Sequence, residues 1–214
     1  MTWMLTSRGT RINLRFIGDD LAAIWVQDIA HHLALVNRWC GATSRPCSVA
    51  EHSLLVAEIL EREHRITSPS VLMAGLLHDA HEAYCGDLST PMKQLIGDAW
   101  YAEERRIQRA VQRRFGVRVA SVAHAELIKL ADLQALACEW RDLVGMHHLA
   151  PPDLPAPLPW LDLRTRAGMD WPDWRQAFLD RFTELAYARS LQLAEMGIAN
   201  GDASDDDDDE RAAA

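Results

Sequence analysis

Ionisable side chains stand at helical positions whose neighbours are apolar, and that placement restricts this chain more than any other feature. His52 shares a face with Val49, Val56 and Ile59, at offsets of three, four and seven residues. His78 and Asp79 end an apolar run that starts at Val71. Asp132 lies four residues from both Ile128 and Leu136. A carboxylate buried without a partner costs roughly several kcal/mol, so it must be paired or bound to a cation. Two imidazoles and two carboxylates on inward faces of three helices are most simply satisfied by one shared divalent metal cation. Such a nitrogen and oxygen set suits Mn, Co, Fe, Ni or Zn, admits Mg, and does not suit a thiolate-selective metal. Each residue alone has a plainer reading: a satisfied core histidine, or an ion pair between Asp132 and Lys129.

The rest of the pattern predicts an all-α bundle with a small β-hairpin at the N-terminus, turning at Ser7-Arg8-Gly9. Helices are expected over residues 28–39 and from Ser48, a capping box with Glu51, to about Arg62. Others are expected over 71–84 with Ser70 as cap and Gly86 as stop, over 96–115 before Gly116, and over 122–145. Five prolines between positions 151 and 159 predict a loop. A last helix starts near Pro172 and stops before Gly197. Residues 1–200 are read as a single domain without internal repeats.

The net charge of −9 is unevenly placed, because positions 201–214 hold seven acids against one base. That segment cannot bury apolar surface and reads as a disordered acidic tail. The remaining body is close to neutral, which favours neither nucleic acid nor an anionic membrane surface. The four cysteines show no Cys-x-x-Cys spacing, and neither a membrane span nor a signal peptide stands out. A reduced cytoplasmic protein is expected.

The run His78-Asp79-Ala80-His81-Glu82, followed by Gly86-Asp87-Leu88-Ser89-Thr90-Pro91-Met92-Lys93, resembles the signature of HD-domain nucleotide phosphohydrolases. It is especially similar to the HDAxE…GDxxTPxK segment of the bacterial 5′-deoxynucleotidases. Three further segments match in the family's order: Asn37-Arg38-Trp39, Ser48-Val49-Ala50-Glu51-His52-Ser53 and Lys129-Leu130-Ala131-Asp132. The resemblance implies an HD-domain helical bundle with His52, His78, Asp79 and Asp132 as metal ligands and Glu82 and Asp87 as catalytic carboxylates. It also implies that Arg38 holds phosphate, that Trp39 packs on the sugar, and that the protein is a homo-oligomer acting on a small nucleotide. Glu82 follows His78 by four residues, so a continuous helix would project both into one volume. Lys93 reads either as a second phosphate contact or as a solvated lysine, and Trp39 has core packing as its alternative.

The expected reaction is hydrolysis of a deoxynucleoside 5′-monophosphate to deoxynucleoside and phosphate. The segment from Lys93 to Asp132 is shorter than in the bacterial 5′-deoxynucleotidases. Phage-type HD deoxynucleoside triphosphohydrolases share this compactness, which leaves triphosphate as the alternative substrate. A non-catalytic nucleotide-binding HD module is the reading from outside enzymology. Arg105, Arg106, Arg109, Arg113, Arg114 and Arg118 alternate with Glu103, Glu104, Gln108 and Gln112, which favours a solvated helix face over a nucleic-acid stripe. The pairs His31-His32 and His147-His148 lack acidic, ligand-like surroundings, and Cys85 reads as packing.

Overall fold

The computed structural model of the protein describes residues 2–145 and 153–197. Met1, the first part of the proline-rich loop, His147, His148 and the acidic tail lie outside the described residues. The chain opens on two short antiparallel strands, β1 (Trp3–Leu5) and β2 (Arg11–Asn13), with Met4 opposite Ile12. The turn between them is closed by Thr6 and Thr10, with Gly9 at a φ of 76°. Asp28 anchors the hairpin, accepting hydrogen bonds from Ser7 Oγ at 2.5 Å and from the Arg8 amide at 3.0 Å.

Beyond the hairpin the chain is almost entirely helical: α1 (Val26–Leu35), α2 (Val49–Arg62), α3 (Pro69–Leu76), α4 (Glu82–Cys85) and α5 (Thr90–Ile96). The helices continue as α6 (Asp98–Arg114), α7 (Arg118–Ala123), α8 (Ala125–Glu139) and α9 (Trp171–Glu195). Helix α2 is central and packs against α1, α3, α8 and α9. Its apolar residues Val49, Leu55, Val56, Ile59 and Leu60 are fully buried, as are Ile29 and Leu33 of α1 and Phe178 of α9. His52 is therefore carried into the core by the residues that bury the helix.

Several predicted boundaries move, each for a local reason. The helix expected over 28–39 ends at Leu35, because Val36 turns extended and the Arg38 amide donates to the Cys47 carbonyl. The loop 36–48 thus folds back on itself, with Asn37 bridged to Ser48. Ser48 caps α2 as expected, accepting from the Glu51 amide at 3.1 Å. The Glu51 carboxylate does not complete the box. It is drawn into a bidentate pair with Arg45, at 2.8 and 2.7 Å.

The helix expected over 71–84 begins at Pro69, after Ser68 rather than Ser70, stops at Leu76, and resumes only at Glu82. Gly97, at a φ of 73°, separates α5 from α6, and His124 separates α7 from α8. Helix α8 ends in a π-helical turn, Trp140–Val144, before Gly145 adopts a left-handed conformation. No helix among the described residues is long and apolar enough to cross a membrane.

Candidate metal centre

Three separate segments deliver the four proposed ligands: α2 supplies His52, the turn after α3 supplies His78 and Asp79, and α8 supplies Asp132. The structure brings all four together. His52 Nε2 lies 3.1 Å from Asp132 Oδ1, 3.7 Å from Asp79 Oδ2 and 3.3 Å from His78 Nε2. His78 Nε2 is 3.1 Å from Asp79 Oδ2 and 4.0 Å from Asp132 Oδ1.

The other ring nitrogens decide what these atoms offer. His78 Nδ1 is 2.8 Å from the Gly75 carbonyl, which only accepts, so Nδ1 carries the proton. His52 Nδ1 is 2.7 Å from Glu139 Oε1 and carries its proton for the same reason. Two neutral imidazoles so arranged present two Nε2 lone pairs 3.3 Å apart, flanked by carboxylates. Such a cluster holds together only around a proton or a cation, and the donor set fits a divalent metal. Without one, burial and Arg38 push the His52 imidazole down. Glu139 and Asp132 outweigh them and lift it to about 9. Burial raises Asp79 and Asp132, but His78 and His52 beside the first, and His52 above all beside the second, hold both carboxyls well below the usual range.

On the inner side of the cluster stands a residue that sequence reasoning missed. Glu139 is 0% exposed and accepts from Arg38 Nε at 3.0 Å, Trp39 Nε1 at 2.9 Å and His52 Nδ1. Burial raises its carboxyl, while Arg38 and His52 pull it down to about 2. The signal that would have found it is its position on α8, seven residues beyond Asp132 and hence on the same face. Arg38 is buried and reaches within 3.7 Å of Asp79 Oδ2. Trp39 packs against Trp140 with ring centroids 5.7 Å apart.

The outer side is organised differently. Between α3 and α4 the backbone bonds skip three residues, from Ala80 to Leu77, Glu82 to Asp79 and Ala83 to Ala80. Three residues per turn align Glu82 with Asp79 instead of with His78. The stacking of His78 and Glu82 on one continuous helix is thereby corrected: Asp79, His81 and Glu82 group together, beside the cluster of His52, His78 and Asp132. Burial, with Asp79 and Asp87 nearby, pushes the Glu82 carboxyl well up, and its Oε2 has no hydrogen-bond partner. Burial also raises Asp87. Lys93 is half-buried, 2.5 Å from Glu104 and 3.9 Å from Glu82, so it is not the solvated surface lysine that the sequence left open.

Two cavities flank the cluster and share Asp79, Lys93, Lys129 and Asp132. One, about 350 Å³, is lined by Arg38, Trp39, Glu82, Asp87 and Thr90. The other, about 280 Å³, is lined by His81, Gln108, Gln112 and Ser121. Other ionisable groups have structural occupations. His32 Nδ1 bonds the Ala83 carbonyl at 2.8 Å and His31 packs edge-on against Trp171. Arg106 pairs with Glu103, and Arg114 donates to the Ile24 carbonyl. Burial pushes the Cys85 thiol up to about 12, which disfavours the thiolate.

Residues 27–98 match the family described as 5′-deoxynucleotidase YfbR-like. An uncharacterized protein of Rhodobacter capsulatus is 37% identical over 146 residues, covering 67% of this chain and 74% of its own length. The uncharacterized protein YfdR of Escherichia coli K12 is 34% identical over 125 residues, covering 58% of this chain and 62% of its own length. The chain therefore belongs to the YfbR-like 5′-deoxynucleotidase family of HD-domain proteins.

Proposed function

We propose that the protein is a divalent-metal-dependent phosphohydrolase that converts a deoxynucleoside 5′-monophosphate to deoxynucleoside and orthophosphate. The observation that carries this reading is the convergence of His52 Nε2 and His78 Nε2, 3.3 Å apart, on the carboxylates of Asp79 and Asp132 beside the buried carboxyl of Glu82. In this reading His52, His78, Asp79 and Asp132 hold the cation. When bound, a divalent cation polarises a phosphoryl oxygen and lowers the pKa of a coordinated water from about 15.7 toward 7.

The chain's own groups supply the rest. Glu82 Oε2, buried and unpartnered, takes the proton of the attacking water and passes it to the leaving 5′ oxygen as the P–O bond breaks. Asp87, on the wall of the larger cavity, orients that water. Arg38, with Lys93 across the same cavity, offsets charge on the equatorial phosphoryl oxygens. Trp39 borders the space for the sugar.

One observation favours a second reading, release of triphosphate from a deoxynucleoside triphosphate. The cluster opens on two cavities with Lys93 and Lys129 between them, which leaves room for a longer phosphate chain. The experiment is a panel of deoxy- and ribonucleoside mono- and triphosphates with Mn²⁺ or Co²⁺, products resolved by anion exchange. Orthophosphate from deoxynucleoside monophosphates is the expected result, and tripolyphosphate would replace it with the second reading. Absence of any product from metal-loaded protein would leave a nucleotide-binding module.

A further inference from the structure

We infer that Glu139 is a positioning residue that ties the metal ligands to the substrate-recognition pair, one carboxylate oxygen orienting His52 and the other orienting Arg38 and Trp39. This rests on the phosphohydrolase reading above and deepens it, since no motif of the sequence points to Glu139.

The geometry divides the carboxylate cleanly. Oε1 faces the cluster and accepts from His52 Nδ1 at 2.7 Å, which fixes the ring with Nε2 turned toward His78, Asp79 and Asp132. Oε2 accepts from Arg38 Nε at 3.0 Å and Trp39 Nε1 at 2.9 Å, two residues that line the larger cavity. A histidine that ligates a metal through one nitrogen depends on an acceptor at the other for its tautomer, its orientation and its basicity.

The substrate side shows the same dependence. Trp39 and Cys40 sit at φ values of 59° and 50°, a left-handed backbone unfavourable for a bulky residue. What holds Trp39 there is its indole N–H on Glu139 and its ring against Trp140. Arg38, the preceding residue, comes from a loop rather than a helix, so its guanidinium has the same anchor. Metal and substrate thus share one buried strut. Tightening either side favours the arrangement the other requires, a reciprocal linkage.

The test uses the full-length protein and Mn²⁺ alone, titrated by calorimetry. Glu139→Gln, which keeps the shape and removes the charge, is expected to lose about 10–100-fold in Mn²⁺ affinity. Glu139→Asp keeps the charge but withdraws it by one methylene. It is expected to stay folded by circular dichroism and still to bind Mn²⁺ more weakly. Wild-type affinity in both variants, or in the Asp variant should Gln fail to fold, would overturn the inference.

Glu51→Gln serves as the structural control, because Glu51 is equally buried on α2 but pairs with Arg45. It should lower the melting temperature and leave Mn²⁺ affinity intact; an equal loss there makes the effect one of packing and sinks the proposal. At saturating Mn²⁺, the Glu139 variants should also show a raised KM, or a raised Kd for a deoxynucleoside monophosphate if the wild type turns nothing over. An unchanged value overturns the linkage to Arg38 and Trp39. A wild type without turnover refutes the phosphohydrolase reading, while the Mn²⁺ titrations still decide the role of Glu139.

Discussion

The inner and outer walls of the cleft are made of the same residue types and behave in opposite ways. On the inner wall, His52, Arg38 and Glu139 are buried with their charges paired at hydrogen-bonding distance. On the outer wall, Glu82 Oε2 and His81 Nδ1 are buried without a hydrogen-bond partner, and His81 Nε2 comes no nearer than 3.5 Å to Glu104 Oε1. The carboxyl of Glu139 is pulled down to about 2 while that of Glu82 is pushed well up. A closed network fixes geometry and holds its charges permanently. An open one leaves a carboxyl in an environment that disfavours its charge, and that raises its hold on a proton.

The largest expected effect comes from breaking the outer wall. Glu82→Ala should reduce turnover about 10²- to 10⁴-fold or more while metal content, read by elemental analysis, stays at the wild-type level. Asp79→Ala should instead empty the site. Full activity in the first variant, or full metal content in the second, would erase the division of labour between the walls.

Next in size is an opposite pH dependence of stability in the metal-free protein, followed by denaturant unfolding. Glu139 has a folded value below its unfolded one. Its stabilisation is present above about 4.5, the unfolded value, and is lost as pH falls toward about 2. Glu82 has a folded value above its unfolded one, so its contribution is present below about 4.5 and is lost as pH rises through the folded value. Glu82→Gln should therefore be more stable than wild type near pH 7, and Glu139→Gln less stable. The same sign in both variants would show that the two walls do not differ in this way.

The smallest effect sharpens the boundary between them. Lys129 pairs with Asp132 Oδ2 at 2.7 Å but is mostly exposed, so the pair is screened by water. Lys129→Ala should cost no more than about 1 kcal/mol of stability and leave Mn²⁺ affinity equal or slightly improved. A large loss of stability would mean that Asp132 serves chiefly as the partner of an ion pair.

Much of this arrangement is legible in the amino-acid sequence. His52 and Asp132 stand out because polar groups interrupt apolar helical faces, and that periodicity survives folding in α2 and α8. The hairpin is marked by its turn residues. Glu139 escapes because its seven-residue spacing from Asp132 assigns it to the same face of α8 without saying that this face is still buried at the end of the helix. The grouping of Glu82 with Asp79 escapes because the sequence reads as continuous helix where the chain tightens to three residues per turn.

The sequence by itself therefore determined that His52 and Asp132 share faces with apolar residues and what chemistry they bring, since helical spacing assigns a residue to a face without reference to the rest of the fold. Only the tertiary structure decided how they are paired. Arg38 and Glu139 are 101 residues apart and His52 and Glu139 are 87 apart. Contacts at that separation exist only once packing of α2 against α8 and closure of the 36–48 loop bring the partners together. The free energy of those contacts depends on a burial that local sequence does not encode.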